Sequence, residues 1–258
     1  MLKKKIFGSS TWIDLESPTD KEAEEAAIFA GLEPDAIQDL LFPSTKHKIE
    51  FGESHASIIL HFPAFKESYD GDAAYEVDFI ITKSVIITAH YCHIEAFEKI
   101  QPINETEKEL FFEIIGELLA NFEHKLSSID HWVRDIEKKM FSGKEKTAVF
   151  ELSEASRHLT DFKKITAVYP EAFRILEEGG EKVFGKKFAK SSHIISERVS
   201  KASAKLFVIS EWASELRETN SALLNIKQNE TMKLLTILTF ISDIFIGGAL
   251  IYLALNGH

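Results

Sequence analysis

The sequence predicts an α+β protein: an N-terminal α/β cytoplasmic domain over residues 1–103, then long stalk helices, then one C-terminal transmembrane helix. Three observations carry this. The first hundred residues alternate short β-branched and aromatic runs with short helix signals. From Phe111 to Met140 a single apolar stripe recurs at spacings of three and four. Residues 234–255, LLTILTFISDIFIGGALIYLAL, are apolar apart from Asp243. At about 1.5 Å per residue this run measures roughly 33 Å as a helix, enough to cross a hydrocarbon core of about 30 Å.

Within the first domain, Ser10–Leu15 (STWIDL) reads as a strand. Ser17-Pro18-Thr19-Asp20 opens a helix that continues through Ala30, where Gly31 and Pro34 punctuate it. A second short helix is expected over Asp35–Leu41. His47–Phe51, Ala56–Phe62, Glu76–Thr82 and Val85–His90 have strand composition, and Thr82-Lys83-Ser84 reads as a tight hairpin turn. The segment 104–180 is expected to form a long helical pair. The first helix carries Phe111, Ile115, Leu118, Phe122, Leu126, Ile129, Val133, Ile136 and Met140 on one face and ends at Ser142-Gly143. The second runs from about Lys144 to Glu178, is interrupted at Pro170, and is expected to close at Gly179-Gly180. A stalk helix over 181–233 follows, with no breaker before the span at 234–255, so the two predict one rod of about 110 Å. Ile195, Val199, Ala202, Leu206, Ile209, Ala213, Leu216, Asn220 and Leu223 alternate by four and three along it. That heptad seam predicts helix-on-helix packing, with copies of the same chain favoured over its own two preceding helices.

Asp243 costs about 3 kcal/mol near a bilayer centre, but each Leu, Ile or Phe returns about 0.3–0.6 kcal/mol, so insertion prevails. Lys227 and Lys233 precede the span and no Lys or Arg follows it in the sequence. The positive-inside rule therefore places the N-terminal part in the cytoplasm, and the one apolar run makes a single-pass chain the expectation. MLKKKIF has no apolar stretch behind its basic start, so no secretory signal is expected. A lone cysteine, Cys92, fits a reducing compartment. A net charge of −11 disfavours nucleic acid as a partner and is compatible with attracting cations. No phosphate-binding glycine loop, nucleophile elbow or hydrolase-type carboxylate pair is present, so no enzyme is expected. His90, Cys92 and His93 lack an obvious fourth zinc ligand, and His124 and His131 fit a solvated helix face.

The chain resembles the CorA family of magnesium channels over nearly its whole length. The likeness rests on TWIDLESPT (Thr11–Thr19), DFIITKSVIITAHY (Asp78–Tyr91), the Tyr169-Pro170 step and KQNETMKLLT (Lys227–Thr236) entering the membrane. The NExMKxLT pattern within the last of these is the specific one. The resemblance implies a homopentamer whose cytoplasmic domains form a funnel and whose first span lines the pore. It implies Mg²⁺ as transported ion, with Co²⁺ or Ni²⁺ as further cargo, and intracellular Mg²⁺ held between neighbouring domains as the regulatory ion. The family's first span ends in Gly-Met-Asn and a second span follows. The corresponding stretch here reads Tyr252-Leu-Ala-Leu-Asn256-Gly-His258, so both features are expected to be lacking.

Mg²⁺ keeps its water shell, so its path needs oxygens that hydrogen-bond that shell. Asn229 offers such a carbonyl, while Met232 and Leu235 align with the family's apolar constriction. Steps of three and four from Asn229 reach Met232, Thr236, Thr239 and Asp243. Asn229, Met232, Leu235, Thr236, Thr239 and Asp243 are thus the expected pore lining, and Asn229 and Asp243 the expected metal contacts. The alternative is a transport-incompetent, truncated or regulatory membrane-anchored domain of the same ancestry.

Overall fold

The computed structural model describes residues 1–8, 10–33, 40–44, 46–53, 55–64, 73–100 and 107–256, with the backbone alone at 107–108 and 253–256. They fall into two units, Met1–His131 with Ser156–Ser210, and Trp132–Ala155 with Glu211–His258.

The first unit is built on a six-stranded sheet: β1 (Leu2–Phe7), β2 (Ser10–Glu16), β3 (Lys48–Phe51), β4 (Ala56–Pro63), β5 (Ala74–Ile81) and β6 (Val85–His90), in the order β1-β2-β6-β5-β4-β3. Among the described strands only β2 and β6 pair in parallel, Thr11 opposite Val85 through Glu16 opposite His90. β1 is an addition to the expected elements. Its Lys3-Lys4-Lys5 run conceals a strand, yet lysines suit an edge, where they discourage pairing with another chain. The expected turn is present: Val85 N–H donates to Thr82 Oγ1 at 3.0 Å, and Thr82 N–H to the Val85 carbonyl at 2.9 Å.

Alternation along the strands sorts the two faces of the sheet. On one face Ile13, Leu15, Ile80, Val85, Ile87 and Ala89 cluster with Ala23, Ala26 and Ala27 of α1 (Asp20–Ala30). The helix starts where its residues dictate. Thr19 and Glu22 form a reciprocal capping box, and Gly31, at φ 69°, takes the left-handed turn that ends it. The helix expected over Asp35–Leu41 lies outside the described residues except for its last two positions.

On the opposite face, Phe79 meets Phe111 edge to face at 5.3 Å, and Phe62 lies 6.1 Å from Tyr169. Four helices follow the short α2 (Ala96–Lys99): α3 (Glu107–Phe141), α4 (Glu145–Thr166), α5 (Tyr169–Phe184) and α6 (Lys186–Asn256). All nine stripe residues of α3 are buried, Phe111 through Ile129 in the first unit and Val133, Ile136 and Met140 in the second. Pro170 sits in the first turn of α5, where a missing N–H costs nothing, so the expected interruption divides two helices.

Gly179-Gly180 does not end a helix. α5 runs through both, and the chain breaks at Gly185, with φ 88°, so the boundary between 180 and 181 moves to 185. The glycines serve close approach instead. A Cβ on Gly179 would lie 2.3 Å from the Phe51 ring, and one on Gly180 2.3 Å from the Phe188 ring. The rod itself is continuous for 71 residues.

The heptad seam faces inward. Ile195, Val199, Ala202, Leu206 and Ile209 are buried in the first unit, and Ala213, Leu216 and Asn220 in the second, with only Leu223 half-buried. A single chain accomplishes this burial, so the seam is filled by the chain's own residues rather than by copies. Arg198 clamps it in the first unit, its Nε and Nη2 donating to the two Glu123 oxygens at 2.7 and 2.8 Å and its Nη1 to the Gly116 carbonyl at 3.0 Å.

Candidate ion pathway

Beyond Asn220 the character of α6 inverts. From Asn225 to Tyr252 nearly every side chain is exposed, Met232 at 57% and Leu235 at 53% among them. α6 is the one helix among the described residues long and apolar enough to cross a membrane, and none of its most apolar window is buried. With 3.6 residues per turn, Asn229, Met232, Thr236, Thr239 and Asp243 form one narrow stripe, and Leu235 sits at its margin.

Two of these residues have their donors occupied. Thr236 Oγ1 donates to the Met232 carbonyl at 2.8 Å and Thr239 Oγ1 to the Leu235 carbonyl at 2.9 Å. A hydroxyl bonded back one turn leaves its lone pairs outward, which suits the water shell of a cation. Asn229 and Asp243 are not brought together. They stand fourteen residues apart on one helix, about 21 Å, so within one chain they are separate oxygen sites. Among the described residues no group of three or more His, Cys, Asp or Glu side chains is arranged to hold a metal. His90 shows why the nearby histidines and cysteine do not converge: its Nδ1 is bound to the Cys92 carbonyl at 2.6 Å, while His93 Nε2 lies 3.5 Å from Glu98. His124 and His131 are exposed on α3.

Below the stripe, the second unit holds a latch that sequence reasoning missed. Glu145, the first residue of α4, is buried, and its Oε1 lies 2.6 Å from Lys227 Nζ. This hydrogen bond holds the Glu145 carboxyl below its ordinary range. Its carbonyl also accepts from Asn220 Nδ2 at 3.2 Å. No local pattern signals a pair 82 positions apart. The first unit has a comparable cluster: His61 Nε2 lies 2.7 Å from the Ser44 carbonyl and 3.0 Å from Glu76 Oε2, with the His47 ring 4.7 Å away.

The family profile of CorA-like Mg²⁺ transporter proteins matches residues 7–248. The chain belongs to the CorA family. The cobalt/magnesium transport protein CorA of Methanocaldococcus jannaschii is 20% identical over 240 residues, covering 89% of this chain and 75% of that one. The complete structure of that archaeal magnesium transporter superposes with a TM-score of 0.75 at 19% identity, covering 90% and 76%. Full-length CmaX gives 0.75 at 16%, covering 89% and 73%. The cytoplasmic domain of ZntB from Vibrio parahaemolyticus gives 0.63 at 11%, covering 85% and 89%. At these identities the structures establish a shared fold. The CorA family is one of membrane transporters, and this member has their α/β domain followed by a long helix able to cross a membrane.

Proposed function

We propose that the chain is the subunit of a homopentameric Mg²⁺ channel of the plasma membrane, passive and driven by the membrane potential, with its α/β domain in the cytoplasm. Co²⁺, named for the archaeal relative, and Ni²⁺ are its further cargo. One observation carries the reading: the span's single charge, Asp243, lies on the same stripe as Asn229, Met232, Thr236 and Thr239, and the whole stripe is exposed in one chain. A carboxylate facing lipid is costly, so Asp243 belongs on a wet path. Five copies supply rings of Asn229 and Asp243 oxygens at two depths. Between them Met232 and Leu235 form an apolar neck that closes by dewetting.

The test is Mg²⁺ uptake into proteoliposomes under an inside-negative potential. The native chain should exceed empty liposomes, Met232→Gly should raise uptake several-fold by widening the neck, and Asp243→Asn should lower it while the assembly stays intact. If neither the native chain nor Met232→Gly gives uptake, α6 is an anchor and the chain a transport-incompetent domain.

A further inference from the structure

We infer that the turn between α3 and α4 is a second membrane contact, in which Phe141, Lys144 and Lys146 dock on anionic phospholipid headgroups at the face where α6 enters the bilayer. The inference rests on α6 being the membrane span proposed above.

Position comes first. Glu145 ties the turn to α6 through Lys227 Nζ at 2.6 Å and Asn220 Nδ2 at 3.2 Å. A cleft of about 710 Å³ separates Gly143–Thr147 from Leu224–Met232, so the turn stands level with the last two turns before the apolar run. The α6 wall of the cleft reaches Met232, two residues or about 3 Å before Leu234, which lies within the headgroup zone of about 5–7 Å on each side of the hydrocarbon core. Lys227 stands about 10 Å before Leu234, so it is the Met232 end of the cleft, not Lys227, that meets the bilayer at headgroup depth.

Chemistry comes second. Most lysines around the turn are spoken for: Lys138 by Asp135 at 2.9 Å, Lys139 by Glu151 at 2.7 Å, and Lys227 by Glu145. Lys144 and Lys146 are exposed and have no ion-pair partner among the described residues. Between these two groups Phe141 is 67% exposed, with no ring partner among the described residues. An outward aromatic flanked by unpaired lysines is the composition of an interfacial anchor, the ring at the acyl boundary and the ammonium groups on phosphate. The one acid of the cleft, Glu145, is neutralised by Lys227 and does not oppose a phosphate.

The experiment uses the full chain with Cys92→Ser and one new cysteine at Phe141, Ser153 or Ile244, each carrying an environment-sensitive fluorophore. Quenching by bromolipid and by aqueous iodide is measured in phosphatidylglycerol-containing and in pure phosphatidylcholine liposomes. The label at 141 should be quenched by bromolipid at least about twofold more than the label at 153 when anionic lipid is present, and less in phosphatidylcholine. Lys144→Gln with Lys146→Gln should remove the difference. Iodide access at 141 equal to that at 153 overturns the contact, and so does shielding from both quenchers in every lipid, which marks contact with another copy. The label at 244 separates the two claims. Bromolipid quenching at 244 without it at 141 overturns the contact alone, whereas none at 244 overturns the span and the contact with it.

Discussion

His61 and His47 face each other under opposite constraints. Burial opposes charge on His61, but the hydrogen bond to Glu76 and the Ser44 carbonyl outweigh it, and its pKa is raised. His47 is pushed down to about 4, first by burial and then by the His61 charge. The signs follow from linkage. The His61 contribution is present below about pH 6.5 and is lost as pH rises through its elevated folded value. That of His47 is present above about pH 6.5 and is lost as pH falls toward 4. Glu76→Gln should therefore flatten the alkaline limb of stability against pH in urea titrations. His47→Gln should remove roughly 1–2 kcal/mol of the acid limb, allowing for solvent screening of a half-buried group. Gly180 makes a different residue-scale prediction. Alanine gains about 1 kcal/mol of helix propensity, but its Cβ would meet the Phe188 ring, itself locked between Phe111, Phe112 and Phe184. A net loss of about 1–2 kcal/mol is expected, read as a lowered Tm, and a smaller loss at Gly179, whose neighbour Phe51 is only half-buried.

At the scale of elements, the long helices were legible because burial of one face imposes a period on the sequence. All nine residues of the α3 stripe are buried, and α1 begins at Asp20, the last residue of the Ser17-Pro18-Thr19-Asp20 opening. Period does not say which partner fills a seam. The α6 heptads read as a surface for copies, yet the chain covers them itself, because burial depends on residues distant in sequence. Gly179-Gly180 misled for the same reason: as a breaker the pair is a local signal, whereas as a seat for Phe51 and Phe188 it is a tertiary one. The His61–Glu76 pair follows from the register of β4 and β5, where the two are directly opposed, and the intervening connection hides that register. A prediction follows from the corrected seam. Leu206, 2% exposed, should cost about 2–5 kcal/mol as Leu206→Ala, and Leu206→Asp should unfold the first unit rather than release subunits. Circular dichroism melts run beside light scattering distinguish the two: loss of assembly with an unchanged melt would return the seam to the interface.

At the scale of the whole molecule, α6 changes from a helix whose one face is buried by its own chain to one exposed all round within a few residues of Asn220. Bare apolar residues such as Leu234, Ile237, Leu238, Phe240, Phe245 and Ile251 are intelligible in lipid. The polar stripe from Asn229 to Asp243 is intelligible against copies of itself around water. Assembly is thus proposed to be held by the span, and light scattering in detergent should give five chains. A monomeric mass after subtraction of detergent would remove the basis for the ring. If Mg²⁺ also binds between cytoplasmic domains of such an assembly, it stabilises only the assembled native form, and its effect grows as RT ln(1 + [Mg²⁺]/Kd). At a concentration of about 100 times Kd that is about 2.7 kcal/mol, a rise in Tm of several degrees. The comparison must be made against NaCl at equal ionic strength, because a chain of net charge −11 gains stability from screening alone. A rise with Mg²⁺ that NaCl does not reproduce ties the ion to the folded protein, and its loss under conditions where light scattering gives a folded monomer ties it to the assembly. An equal rise in both salts reduces the effect to screening and leaves Mg²⁺ as cargo alone.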